Sequence, residues 1–464
     1  MAALLAPACA VGPDYERPRV ELRGAYRGSA ATPTSAAGQG HSLGDLQWSQ
    51  VFQDPPLQAL IRTALAQNLD VGIAAARIEQ AAAQLGITRA DQLPTVSIAA
   101  SASRQRLPAQ AERPPGEVSD LQAVGQVSWA LDFWGKYRRA SEASRADLLA
   151  AEWGHRAVVG TLVADMATAY FQLRELDLEV DITRRTLVSR RQSQELVRLQ
   201  ERQGTASLLD VRQAEQLVYV ASQTIIDLER RIAQQENFIR VLLGANPGPV
   251  ARGRALIEQP RAPAVPAGLP SSLLQRRPDI RVAEERLVAA NARIGVARAA
   301  YFPDIALTAS GGFESSALAD LLDAPARLWS VAASLTHAIF AGGRVRAGVA
   351  LSEAQRREAL LVYRQTILQA FREVSDALVA FRTSSLFRAQ QELLTEAARD
   401  AARLSESRYR GGTTSYLEVL DSNTRLFTAE LGLAQSRLDE LLVLVQLYRA
   451  LGGGWQPSEP VARG

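Results

Sequence analysis

The chain has 464 residues, with 52 lysines and arginines against 49 acidic residues and a net charge of +3. So small a balance, with arginines spread along helix-like segments, argues against a nucleic-acid surface. Its one cysteine, Cys9, excludes a disulfide framework. His41, His155 and His337 fall in a linker, a helix and a strand, so no metal or cofactor site and no catalytic constellation can be assembled, and an enzyme is not expected.

Met1 to Ala8 is a short run of small and apolar residues ending at Cys9, as in a bacterial lipoprotein signal whose cysteine is lipidated after cleavage. The run lacks a basic start and has Ala6 where such signals favour leucine, which fits a natural start further upstream. We therefore read residues 1–9 as signal and lipobox. A stretch rich in Pro, Gly, Ser and Ala follows, and residues 10–55 read as an extended tether.

Residues 56–255 and 256–455 then repeat one another, leaving 456–464 as a tail. Asp70, Ala74, Arg77, Gly86, Arg89 and Pro94 recur 209 positions later as Asp279, Ala283, Arg286, Gly295, Arg298 and Pro303. Gly204 and Ser207 recur as Gly412 and Ser415. A period this long means two equivalent halves, each predicted to hold a helix, two strands and two long helices. The first helix spans about Pro56 to Asp91, and its copy Ser271 to Ala300, each stopped by a proline.

The strands are Thr95 to Leu107 and Leu121 to Phe133, then Asp304 to Phe313 and Leu328 to Phe340. Val96, Ile98, Ala100 and Ala102 alternate with Ser97, Ser101, Ser103 and Gln105, the weak signature of a barrel wall. Strands of this length cross the hydrocarbon layer when tilted, whereas no segment approaches the roughly 20 apolar residues of a spanning helix. Four strands cannot close a barrel and an open edge is not tolerated in lipid, so several copies must pool their strands, three giving twelve.

Long helices follow, from Lys136 to Gln203 and from Arg344 to Arg410, each able to extend roughly 100 Å. On the return helices Val211, Val218, Ile225, Ile232 and Ile239 step by seven, with Gln235 interrupting the companion row; Val419, Leu426, Leu433 and Leu447 match them, with Glu440 as the exception. A sustained seven-residue step indicates coiled-coil pairing. Gly204, Thr205, Ala206 and Ser207 join the first pair and Gly412, Thr413, Thr414 and Ser415 the second, with glycine ending one helix and Ser or Thr capping the next.

VGPDYERP (from Val11), RRPDI (from Arg276), AANARIGVARAA (from Ala289), IFAGGR (from Ile339) and YRALGGGW (from Tyr448) resemble the TolC-like outer membrane factors, in particular the lipoprotein subgroup serving RND-type multidrug pumps. The resemblance runs from about Cys9 to Trp455. It implies a homotrimer with a twelve-stranded barrel in the outer membrane, lipid-anchored through Cys9, and a long helical barrel in the periplasm. It also implies an exit duct for drugs or other small molecules, partnered by a periplasmic adaptor and an inner-membrane RND-type transporter. Leu417 and Asp421 correspond to the periplasmic gate, and the two glycine tips, which carry Gly and Ser at the same spacing, are expected to dock the adaptor end to end. Where the family has an arginine three residues after that aspartate this chain has Thr424, with Arg425 one place on, about 100° around the helix. The same fold also serves type I protein secretion, and the lipoprotein-like start favours efflux. A soluble coiled-coil scaffold would explain the heptads and leave the strands unexplained.

Overall fold

The computed structural model describes residues 10–19, 42–108, 116–260 and 270–456. Cys9 and His41 lie outside the described residues. The fold is mainly helical, with one four-stranded antiparallel sheet and two repeats. The chain divides into a sheet-bearing unit (residues up to 20, 76–152 and 282–365) and a helical unit (21–75, 153–281 and 366 onward).

In the sheet-bearing unit β1 (Thr95–Leu107), β2 (Gly116–Leu131), β3 (Asp304–Ser315) and β4 (Arg327–Thr336) lie in sequence order, each antiparallel to the next. Relative to the sequence reading, β2 starts earlier and β4 stops earlier, which leaves His337 just past the strand. The hairpins are copies: Thr95 faces Ser128 in the first, and Asp304 faces Thr336 in the second. Large apolar side chains on β1 and β4 are bare, with Ile98 85%, Trp329 81% and Val331 73% exposed. Beyond the strands, Ala143 and Ala146 of α4 (Lys136–Arg202) meet Ala289 and Ala292 of α7 (Pro278–Ala299) in a close alanine seam.

Residues 10–19 are pinned to this unit. The Val11 N–H donates to Trp134 O at 3.0 Å, Asn291 Nδ2 donates to Pro13 O at 2.8 Å, and Arg139 pairs with Asp14 at 2.6 Å. Gly12 adopts φ +115° and lies so close to Gly295 that a Cβ there would sit 2.5 Å from the Gly295 Cα, so both positions need glycine.

In the helical unit, the stretch expected to remain extended as far as residue 55 is already folded at its end. A 3-10 turn (Leu43–Asp45) and α1 (Trp48–Val51) bury Leu43, Trp48 and Phe52, and Phe52 meets Tyr448 edge-on at 5.8 Å. Burial of those three side chains outweighs the loop-like composition around them.

The first helix of each half is also two helices, a correction to the sequence reading. α2 (Pro55–Gln67) stops at Asn68 and α3 (Leu69–Ala90) starts beyond it; α6 (Pro270–Arg276) stops at Arg277 before α7. Asn68 Oδ1 accepts from the N–H groups of Asp70 and Val71, so the apolar periodicity continues across a break set by a side-chain cap. In the second half Pro278 forces the same break.

The remaining helices are α5 (Leu208–Leu242), α8 (Arg344–Arg410) and α9 (Tyr416–Ala450); α4 and α8 have 67 residues each. On α5, Val211, Val218 and Ile239 of the seven-residue row are buried together with Ala214, Ala221 and Leu228, while Ile225 and Ile232 are half-buried. The two polar interruptions join paired helices: Gln235 Nε2 donates to Ala169 O at 2.9 Å, and Glu440 pairs with Arg388 at 2.8 Å.

Candidate gate and docking tips

The two glycine turns are built alike. In the first, Gly204 has φ +76°, its N–H donates to Glu201 O, and the Thr205 N–H and hydroxyl both donate to Gln200 O, at 2.9 and 3.1 Å. In the second, Gly412 has φ +70°, its N–H donates to Tyr409 O, and the Thr413 N–H and hydroxyl both donate to Arg408 O, at 3.0 Å each. This is the Schellman arrangement, in which a left-handed glycine lets the chain reverse and satisfy the last helical carbonyls. A Cβ at Gly204 or Gly412 would meet nothing within 4 Å, so both glycines are required by backbone conformation and their outer side is open.

The helix starts beyond the turns differ. Ser207 caps α5, its hydroxyl accepting from the Asp210 N–H at 3.2 Å while Asp210 accepts from the Ser207 N–H at 2.9 Å. Ser415, expected to cap α9 in the same way, makes no side-chain cap bond. Instead the Thr414 hydroxyl donates to Glu418, which also pairs with Arg408 at 2.7 Å across the turn. A longer acid three residues after the cap has drawn the hydroxyl from the residue before it.

The structure brings the two turns together. Val197, Val211, Ala214, Tyr416 and Val419 form one buried cluster, with Ala206, Tyr409 and Leu420 against it. Tyr409 Oη donates to Gln200 Oε1 at 2.5 Å, and its ring lies 5.4 Å from that of Tyr416. Burial, then the neighbouring Tyr409 and Asp210, pushes the Tyr416 hydroxyl up to about 12, and burial raises Tyr409 too, so both phenols stay neutral at physiological pH. Sequence reasoning missed this joint. The visible signal was the seven-residue spacing of Tyr409 and Tyr416 around the glycine turn.

A second residue missed from the sequence is Arg190 on α4. It is 5% exposed, donates to Leu217 O at 2.8 Å and lies over the Phe427 ring at 5.0 Å. Desolvation lowers its pKa, and it ties α4 to both α5 and α9 close to the tips.

Leu417 and Asp421 occupy the first two turns of α9, one turn apart on one face, and both are exposed, Leu417 by 60%. Arg425 Nε pairs with Asp421 Oδ2 at 2.7 Å, one turn further along the same helix. The displaced arginine therefore returns to its own helix within this protomer, while Thr424 donates to Leu420 O. At the other end of the described chain, Ala10 lies against Gly135 at the junction of β2 and α4, which places residue 10 beside the end of the sheet.

Similarity to known proteins covers this whole arrangement. A sequence profile of the outer membrane efflux protein family matches residues 60–245 and 269–453, one match per repeat. The chain is 38% identical over 452 residues to the probable efflux pump outer membrane protein TtgC of Pseudomonas putida, covering 96% of this chain and 93% of that one. It is 36% identical over 462 residues to the outer membrane protein OprJ of Pseudomonas aeruginosa, covering 98% and 94%. Its fold matches the open-state MtrE outer membrane channel of Neisseria gonorrhoeae with a TM-score of 0.86 at 31% identity, covering 97% and 99%. The chain belongs to the outer membrane efflux protein family, and it is an outer-membrane exit channel of an efflux pump.

Proposed function

We propose that three copies of this chain form a passive, lipid-anchored duct. Their sheets join into a twelve-stranded barrel, and the Asp421 side chains make a gating ring at the periplasmic mouth. The observation that carries this reading is the sheet: it has four strands, bare apolar side chains on both edge strands, and no partner for either edge within the described chain. An unpaired edge in lipid costs several kcal/mol for each unsatisfied backbone group, so the edges must close on other copies.

Around a threefold axis one carboxylate becomes three, which favours cations and hinders anions, and Leu417 one turn away adds an apolar constriction. Because Arg425 pairs with Asp421 along its own exposed helix face and not across to another helix, closure in this reading rests on the ring of Leu417 and on packing around Tyr409, Tyr416 and Gln200. The open outer sides of Gly204–Ser207 and Gly412–Ser415 suit end-on docking of a periplasmic adaptor, which links the duct to an inner-membrane RND-type transporter. Cys9 carries the lipid, and Ala10 beside Gly135 holds that lipid near the sheet. The chain itself does no chemistry and uses no cofactor.

Outer-membrane fractionation with blue native electrophoresis of the detergent extract tests this. The proposal expects a trimer in the outer-membrane fraction, an acylated mature N-terminus by mass spectrometry, and drug sensitivity on deletion. A monomer in the soluble fraction would remove it.

A further inference from the structure

The internal repeat supplies a residue-level template for how one copy meets the next. Within the chain, the first half meets the second along β2 with β3 and along α4 with α7. The equivalent positions in the opposite order, β4 with α8 and β1 with α3, lie at the two ends of the sheet, and there the corresponding side chains are bare. Ala143 is 4% exposed, but its counterpart Leu351 is 60% exposed. Ala289 and Ala292 are both 0% exposed, but their counterparts Gln80 and Ala83 are exposed. Gly295 touches Val11 and Arg139, whereas its counterpart Gly86 has nothing within 4 Å. Surface that one half buries inside the chain, the other half leaves for a neighbour.

The strand registers make this specific. Thr95 faces Ser128 and Asp304 faces Thr336, so β1 maps to β3 by 209 positions and β2 to β4 by 208. Applying the same steps to the β2–β3 junction, where Gln126 faces Ser310 and Val127 faces Ala309, gives the junction between copies. Resting on the trimeric reading above, we infer that β4 of one copy pairs antiparallel with β1 of the next, with Ser334 opposite Ser101, Leu335 opposite Ala100 and Val331 opposite Arg104.

An independent argument agrees. Directly opposite residues of an antiparallel pair share a face. Trp329, Val331 and Leu335 are the exposed large apolar residues of β4, and Val96 and Ile98 those of β1. The inferred register puts all five on one face and Ser330, Ser334, Ser101 and Ser103 on the other. A slip by one residue would set the serines of one strand on the face of the other strand's large apolar residues. Slips by two keep the faces, and only the repeat selects among those.

Cysteine pairs read the register directly. In one chain Ser101 and Ser334 are three strands apart and also offset along the strands, well over about 14 Å and beyond disulfide reach, so any bond between them joins two copies. The full-length chain carrying Ser334→Cys with Ser101→Cys, oxidised in outer-membrane vesicles, is expected to shift on non-reducing gels to two- and three-chain masses. Ser334→Cys with Ala99→Cys or with Ser103→Cys is expected to stay at one-chain mass, as are the single-cysteine variants. Blue native electrophoresis of each variant reports separately whether trimers form. Trimers that oxidise through a shifted pair, or through none of the pairs, overturn the register and leave the trimeric duct standing. Loss of trimers in the untouched protein overturns both.

Discussion

Asn68 donates a hydrogen bond from its side-chain amide to the carbonyl oxygen of Leu242, the last residue of α5, at 2.9 Å. In the second half Arg277, 209 positions later, donates to the carbonyl of Ala450, the last residue of α9, at 3.1 Å. Each half thus ends its return helix on the break in its own first helix, using a different donor. Asn68→Ala removes a helix cap and orphans a carbonyl, and is expected to cost about 1–3 kcal/mol. Asn68→Asp keeps the cap and loses only the donor, so its thermal midpoint should fall between those of wild type and Asn68→Ala. Arg277→Ala also strands Asp279 and Glu373, both paired with Arg277, and should cost about 2–3 kcal/mol, less than breaking a wholly buried pair because both acids are part-exposed.

Glu175 on α4 gives the fold a pH dependence. It is 3% exposed with one carboxyl oxygen unpartnered, and desolvation, then Glu179, raises its pKa to about 8; Asp439 adds to this and Arg231 opposes it. The folded state therefore holds a proton that the unfolded chain releases near 4.5. Stability from this group is full below pH 4.5 and falls as pH rises to about 8, by at most about 1.4 kcal/mol per pH unit. Glu175→Gln should flatten the pH profile of the thermal midpoint across that window and raise the midpoint at pH 8. An unchanged slope contradicts this assignment.

The tips separate docking from folding. Asparagine tolerates the left-handed backbone, and a side chain at Gly204 or Gly412 meets no neighbour. Gly204→Asn with Gly412→Asn should leave trimer formation intact while lowering adaptor cross-linking and drug resistance. Gly412→Val should in addition lower the thermal midpoint, since a β-branched residue strains the turn. Resistance at wild-type level in the asparagine variant would remove the tips from docking.

The residues differ in how far they announced their roles. The repeat, the strands and the seam on α5 were legible because each imposes a period on side-chain type. The break at Asn68 was not, because apolar periodicity runs across it and its amide also serves a carbonyl 174 positions away, whereas the break at Arg277 was signalled by Pro278. At the tips the glycines were legible from conformation alone. The Tyr409–Gln200 bond was hidden, since it depends on how two hairpins meet, and so was the failure of Ser415 to cap, since Ser207 and Ser415 look equivalent until Glu418 is placed.

The reversal potential of single channels in planar bilayers under a salt gradient, wild type against Asp421→Ala, tests the duct and its gate together. The account predicts discrete cation-preferring channels for wild type, and for Asp421→Ala a weaker cation preference with higher conductance, larger still with Leu417→Ala added. Absence of channels from purified trimers would contradict the duct, and a reversal potential and conductance unmoved by Asp421→Ala would contradict the gate.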